Sequence, residues 1–291
     1  MVASLRVLLE HAIDYAGLFP PAALPMDQAV PEFQELIAGP NAWLVRRFVC
    51  PVAWLPDLLE HLPKTVDEPW PIAVLGTSLD GYRQDMTLIE RFEEAVGDRA
   101  LVEAYEVKAN RADLGRGPLR HLADAGFEEV YIELPWVDDF SESLHPLVEV
   151  EGIGSKGRTG GLEPSAFPSN EQLGAFLHEC LSLELPFKLT AGLHHAMPKR
   201  DEAIPARMHG FLNILIGCSL TLAHDLNRAE LTSILAEDDP KAFWFTEKGA
   251  GYRDWEADLD DLVIGREAFV SWGSCSVQDP LDDLAAFGLF P

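Results

Sequence analysis

The stretch GIGSKGRTGGLEPSAFPSNEQLGAFLHECLSLELPFKLTAG, residues 152–192, decides the fold of this chain. Its two ends, residues 152–158 and 187–192, are short runs that we interpret as β-strands. Between them, residues 169–183 open with a polar residue and repeat apolar side chains at helical spacing. A strand, a helix and a second strand in this order predict a βαβ unit with parallel neighbouring strands.

Six further strand-like runs lie on either side of this unit, at residues 13–18, 44–50, 72–76, 101–107, 130–134 and 268–274. Helical patterns lie between and after them, for example at residues 118–126 and 279–289. Eight strands alternating with helices is the arrangement that closes a (β/α)8 barrel. We therefore predict an α/β protein, a TIM barrel with an N-terminal helix.

The connection between the seventh and eighth predicted strands is the longest in the chain. We interpret residues 196–267 as an inserted segment of two helices and an aromatic stretch, within a single domain that spans residues 1–291. Long loops after barrel strands often form lids over the active site. We expect this segment to cover the barrel mouth; packing of its aromatic residues against the outer helices is the alternative.

The charge balance of the chain excludes some partners. Lys and Arg number 22 against 48 Asp and Glu, which gives a formal net charge of −26. Such a field repels nucleic acids and anionic membranes, so we expect neither as a partner. The acids are scattered, which favours a role in solubility over an acidic surface for a basic partner.

Several features favour the cytoplasm. The four cysteines are far apart and lack metal-ligand spacing. The first twenty residues lack the charged start, apolar core and cleavage site of a signal peptide. No apolar run reaches the roughly 18 residues that a membrane span needs.

Two lysines stand out among the strand ends, where the active site of a barrel lies. Lys156 and Arg158 share one face of the sixth strand, and Lys188 lies on the seventh. Neighbouring lysines lower each other's pKa, and a lysine of lowered pKa is the nucleophile for carbonyl chemistry through a Schiff base. The alternative is that each lysine lies on the outer face, with its charge in solvent.

Other polar residues follow the same strand ends. Glu106 and Glu133 end the fourth and fifth strands, as proton-transfer groups or as ion-pair partners of the lysines. His194 and His195 are candidate substrate contacts, although histidines and glutamates are also acceptable metal ligands. The turns GRTGG and GSCS leave backbone N–H groups that can cradle an anion.

The order and spacing of these motifs resemble the deoxyribose-phosphate aldolase family, class I aldolases on a (β/α)8 barrel. Asp14 and Pro20 match the spacing in that family's first strand. Glu106, with Asn110 four positions on, matches the place of its acidic proton-relay residue.

The lysine motifs carry the rest of the resemblance. Lys156, Thr159 and Gly160 match the Lys-x-x-Thr-Gly pattern of the Schiff-base lysine, and Lys188 matches a second lysine. The GSCS turn, residues 273–276, is similar to the family's phosphate-binding turn. The chain departs from the family in three ways: it has Glu instead of Asp at 106, Arg158 inside the lysine motif, and Leu-His-His after Gly192.

The resemblance implies a class I aldolase or related carbon–carbon lyase, without metal or cofactor, acting on a small aldehyde or ketone or on a sugar-phosphate-like substrate. Its catalytic residues would be Lys156, Lys188, Glu106 and Asp14, with Lys188 lowering the pKa of Lys156. Its substrate contacts would be Arg158, Thr159, Gly160, Gly161, His194, His195, Gly273 and Ser274. The alternatives are a metal-assisted lyase or hydrolase using Glu106, Glu133, His194 and His195, and a non-catalytic sugar- or metabolite-binding barrel. Assembly as a homo-oligomer stays open.

Overall fold

The computed structural model describes residues 1–137, 139–200 and 204–290. Eight strands form a closed barrel in which every neighbouring pair is parallel. They are β1 (Ile13–Tyr15), β2 (Val45–Pro51), β3 (Trp70–Leu75), β4 (Ala100–Lys108), β5 (Glu129–Glu133), β6 (Ile153–Arg158), β7 (Phe187–Thr190) and β13 (Phe269–Ser274). Each overlaps one predicted strand, so the predicted (β/α)8 barrel is confirmed.

Helices surround the barrel. α1 (Ala3–Leu9) precedes β1, and each barrel strand is followed by one of α2 (Met26–Ala38), α3 (Leu55–His61), α4 (Tyr82–Val96), α5 (Arg116–Ala123), α6 (Ser141–Val148), α7 (Asn170–Ser182), α8 (Phe211–His224) and α11 (Gln278–Ala286). α7 begins after Ser169, which forms a capping box with Gln172. Among the described residues, none of the helices has the length and apolar content needed to cross a bilayer.

The connection from β7 to β13 adds several elements to the barrel. They are the hairpin β8 (Lys199–Arg200) and β9 (Arg207–Met208), the helices α9 (Arg228–Leu235) and α10 (Leu259–Ala268), and the sheet β10 (Phe243–Phe245), β11 (Gly249–Tyr252) and β12 (Trp255–Asp258). α8 is buried from Phe211 to Thr221, as is typical of a helix that is apolar on all sides. Phe211 stacks on Trp272 of β13, so α8 is the seventh helix of the barrel layer and the other elements are additional.

The aromatic sheet β10–β12 packs on the outside of the barrel. Its strands contact α1, α8 and α10, and the Ser4 N–H donates to the Thr246 carbonyl at 3.2 Å. Phe243 and Tyr252 are buried in this contact. The alternative, packing of the aromatic residues against the outer helices, therefore holds for this sheet, whereas Ile204 and Met208 from the start of the same segment line a cavity at the barrel mouth.

Inside the barrel, a lower charged cluster lies near the N-terminal ends of the strands. The fully buried Arg47 contacts Glu103 at 2.8 Å and Glu129 at 2.5 Å. Tyr131, two residues after Glu129 on β5, donates to Glu129 at 3.0 Å. Tyr131 contacts this cluster through its hydroxyl and a second charged layer through its ring, since Lys188 Nζ lies 5.6 Å from the ring centroid.

Candidate active site

Five buried charged side chains form one network below the C-terminal mouth of the barrel. Glu106 is shared by two lysines: its Oε2 lies 2.7 Å from Lys156 Nζ, and its Oε1 lies 2.5 Å from Lys188 Nζ. Lys188 also contacts Asp14, and Lys156 Nζ lies 3.0 Å from Glu133 Oε2. Carboxylates and ammonium groups therefore alternate from Asp14 to Glu133.

Strand register explains why these residues meet. Lys156 and Lys188 are register partners on β6 and β7, and Glu133 on β5 is the partner of Lys156. Neighbouring strands lie about 4.8 Å apart, so inward-facing partners are within reach of one another. On β13, Ser271 is the partner of Lys188 and donates to Asp14 Oδ2 at 2.7 Å. Glu106, Lys156 and Lys188 therefore converge at this end of the barrel, whereas their catalytic roles stay predictions.

Cations compensate the carboxylates of this layer. Asp14, Glu106 and Glu133 supply three carboxylates, and the two lysines supply two buried cations. Two further cations reach Glu133 from outside the buried layer: Arg158 Nε lies 3.1 Å and Lys108 Nζ 3.8 Å from Glu133 Oε1. Balance matters here because an uncompensated charge in a barrel interior costs several kcal/mol.

The carboxylates decide the protonation state of Lys156. Burial alone lowers the pKa of Lys156, but Glu106 and Glu133 together raise it above its ordinary value. Burial raises the pKa of Glu133, yet Lys156, Arg158 and Lys108 bring it down to about 2. The expectation that Lys188 lowers the pKa of Lys156 is therefore wrong for this state, because Glu106 lies between the two ammonium groups.

A cavity of about 460 Å³ opens at the barrel mouth, directly above the network. Four of its lining residues come two positions after a residue of the charged layer in the sequence. They are Ala16 after Asp14, Arg158 after Lys156, Thr190 after Lys188 and Gly273 after Ser271. Residues two apart on a strand face the same side, about 6.6 Å apart. The network thus lies one layer of side chains below the cavity. The side chains of that intervening layer are small, except for Arg158.

Arg158 lies at the boundary between two cavities. It lines the large cavity and also a second one of about 380 Å³, which Lys108, Glu133 and Trp136 line as well. Trp136 Nε1 donates to the Arg158 carbonyl at 2.5 Å and holds this end of β6 in place. Arg158 therefore lies where its predicted contact with a substrate requires it.

The GRTGG turn has mainly structural contacts. Thr159 Oγ1 donates to the Ala191 carbonyl and contacts the Thr190 carbonyl at 3.2 Å. A Cβ on Gly160 would lie 2.8 Å from Gly192 Cα, so only glycine allows these two turns to approach this closely. Of the four residues predicted to bind substrate in this turn, Arg158 and Gly161 line the cavity, whereas Thr159 and Gly160 do not.

His194 and His195 both line the cavity. His195 Nδ1 lies 3.0 Å from Asp283 Oδ2, an atom that also accepts the Ala196 N–H at 2.9 Å. Ser274 Oγ lies 3.4 Å from His194 Nδ1 and donates to the Ser276 carbonyl at 2.6 Å. Gly273 lines the cavity, whereas Ser274 does not and instead contacts His194.

Some residues of the site escaped the sequence analysis. Ser271 lies two residues before Gly273 on β13, so the two face the same side of the strand. This alternation could have identified Ser271 as a residue of the site. Asp283 lies 88 residues from His195, on a helix with other acids, and nothing in the sequence distinguishes it. The apolar wall residues were also missed, because a cavity wall and a core have the same residue types.

The residues of the metal hypothesis are not gathered into one ligand set. Glu106 and Glu133 both contact the Lys156 ammonium, whereas His194 lies beside Ser274 and His195 beside Asp283. Across residues 1–137, 139–200 and 204–290, no group of three or more His, Cys, Asp or Glu side chains is placed to hold a metal ion.

The arrangement at this end of the barrel is that of a (β/α)8 protein with a buried lysine–carboxylate network under a cavity, a fold compatible with an enzyme. Comparisons with protein-family models, curated proteins and solved structures found no match to this chain. Fold alone does not give function, so the chemistry must be argued from the site.

Proposed function

We propose that this protein is a class I aldolase or a related carbon–carbon lyase that binds a small aldehyde or ketone as an imine on Lys156. One observation carries the proposal: Glu106 contacts two buried lysines that are register partners below a cavity. Lys156 is the nucleophile, because it lies directly below the lining residue Arg158 and matches the Lys-x-x-Thr-Gly pattern.

The first step is a proton transfer within the network. Lys156 is protonated at rest, so its proton must pass to Glu106 Oε2, 2.7 Å away, before the amine can react. Displacement of water by a bound carbonyl compound favours this transfer, because a neutral amine and carboxylic acid tolerate a low dielectric better than two ions. The amine nitrogen then bonds to the carbonyl carbon, and Glu106 returns the proton as water leaves.

Carbon–carbon cleavage uses the iminium ion as the electron sink. A base removes the proton of the substrate hydroxyl, the carbon–carbon bond breaks, and its electron pair forms an enamine. Asp14 suits the role of base, since its Oδ1 is buried with no hydrogen-bond partner among the described residues. Protonation of the enamine carbon and hydrolysis of the imine regenerate Lys156.

The position of the network argues against a purely structural role. Buried ion pairs are often no more stabilising than apolar residues of similar volume. The lower cluster of Arg47, Glu103 and Glu129 lies at the N-terminal end of the barrel. Side chains at that end of a (β/α)8 barrel generally serve stability and not catalysis. The lysine network lies at the other end, under the cavity.

Borohydride trapping tests the proposal. The protein is incubated with small aldehydes and ketones, reduced, and examined by mass spectrometry for an adduct. We expect the adduct on Lys156, and its loss in Lys156→Met. Lys108→Met is the matched control, because Lys108 lies at the same end of the barrel but is largely exposed. An adduct confined to Lys188 would reverse the assigned roles, and labelling of exposed lysines alone would contradict the proposal.

A second candidate is a non-catalytic barrel that binds a sugar or metabolite. It is favoured by the raised pKa of Lys156 and by the layer of side chains that separates both lysines from the cavity. In that case a cavity ligand binds the Lys156→Met variant as tightly as the parent protein, and no carbonyl compound is trapped or cleaved.

A further inference from the structure

The walls of the large cavity are mainly apolar. Residues from five different loops and strands contribute large apolar side chains: Phe19, Val49, Leu75, Leu162, Phe167 and Met208. The charged groups in the lining are Arg158 and Asp279, with His194 and His195 beside them. A cavity of this size is within the range of small-molecule sites, about 300–1,000 Å³.

The charged lining residues do not favour an anion. Arg158 is already paired with Glu133, and Asp279 adds a carboxylate to the same lining. A phosphate would have to share the guanidinium with Glu133 and approach Asp279 in a protein of net charge −26. Like-charge contacts of this kind are costly.

In the turn after β13, serine hydroxyl groups accept hydrogen bonds from nearby backbone N–H groups. Ser274 Oγ lies 3.4 Å from the Ser276 N–H, and Ser276 Oγ accepts the Asp279 N–H at 3.1 Å. These two N–H groups are among those that could otherwise bind an anion before the N-terminus of α11. In this respect the chain differs from what its resemblance to a phosphate-binding turn implies.

We infer that the carbonyl substrate of the proposed reaction carries an uncharged, apolar aliphatic or aromatic tail, and not a phosphate. The inference rests on the proposed function for the carbonyl group, whereas the tail is argued from the cavity alone. Arg158 and Thr190 form the polar floor next to the lysines, and the apolar walls enclose the tail. Each methylene buried there strengthens binding by about fourfold.

Alcohols test the tail without the imine, because they have no carbonyl group. We expect the affinity of 1-butanol, 1-pentanol and 1-hexanol, measured calorimetrically, to rise by about three- to fourfold per methylene. Glycerol 3-phosphate and inorganic phosphate should show no saturable binding. Tighter binding of either phosphate, or an affinity that does not depend on chain length, would overturn the inference. We expect Lys156→Met to retain 1-hexanol binding, because the alcohol does not need the lysine. Failure of borohydride trapping in the parent protein would therefore contradict the proposed function without contradicting the inference about the tail.

A pair of matched substitutions places the alcohol in this cavity. Phe167→Glu introduces a charge into the wall, whereas Phe287→Glu introduces one at an exposed position of the C-terminal segment. We expect 1-hexanol binding to weaken at least about tenfold in the first variant and to be unchanged in the second. Urea unfolding shows whether Phe167→Glu remains folded, and Phe167→Ser serves if it does not. Unchanged binding in a folded cavity variant would overturn the assignment.

Discussion

Lys156 on β6 and Lys188 on β7 are register partners, and the Glu106 carboxylate lies between their ammonium groups. Two ammonium groups side by side would otherwise repel each other in a buried layer. Glu106 turns that repulsion into two attractive contacts, and it raises the pKa of Lys156 instead of allowing it to fall.

We predict that Glu106→Gln lowers the free energy of unfolding by about 3–5 kcal/mol at neutral pH. The amide keeps the shape of the side chain but leaves two buried ammonium groups without their shared anion. Urea unfolding measures the change. Glu142→Gln is the control, because Glu142 pairs with Arg111 on the surface and such pairs contribute about 0–1 kcal/mol. Equal, small effects of both substitutions would show that Glu106 is not essential to the charge balance.

Asp283 is predicted to hold the start of the β7–β13 connection at the cavity. Asp283→Ala removes the acceptor of both His195 and the Ala196 N–H, so the free energy of unfolding should fall by about 1–3 kcal/mol. Asp282→Ala is the neighbouring control. Among the described residues, Asp282 accepts only an exposed hydrogen bond from Gln278, and its loss should change stability by less than about 0.5 kcal/mol. Thermal or urea unfolding distinguishes these outcomes, and a larger effect at Asp282 would contradict the assignment.

His209 should make the protein sensitive to mild acid. It is buried, with Nε2 2.8 Å from the Pro168 carbonyl. Burial lowers its pKa from 6.5 to about 4, a shift that the Pro168 contact opposes and Arg207 reinforces. As the pH falls from about 6.5 towards 4, the unfolded chain therefore binds a proton that the folded chain does not, and stability is lost.

The corresponding measurement is the free energy of unfolding between pH 6.5 and 4.5. We predict a weaker dependence on pH in His209→Gln than in the parent protein, because the titrating group is gone. His121→Gln, at an exposed position, should leave the dependence unchanged. A parallel pH dependence in all three proteins would mean that other groups control the acid response.

The sequence was sufficient for the barrel and for which side chains share a strand face. The alternation of helical and strand patterns predicted eight strands, and side-chain parity placed Lys156 and Arg158 on one face. These are short-range properties, because a strand or helix pattern and its buried face are set by residues a few positions apart.

Tertiary structure decided the charges and the walls of the site. The placement of Glu106 between two lysines, the contact of Asp283 with His195 and the packing of the aromatic sheet against α1 all join residues far apart in sequence. The pKa of Lys156 depends on how many carboxylates surround it, which the lysine motif does not encode. The sequence by itself determined which side chains share a strand face, and only the closed barrel decided which faces point inward and which side chains meet, because electrostatic interactions depend on distances that strand register and barrel closure set together.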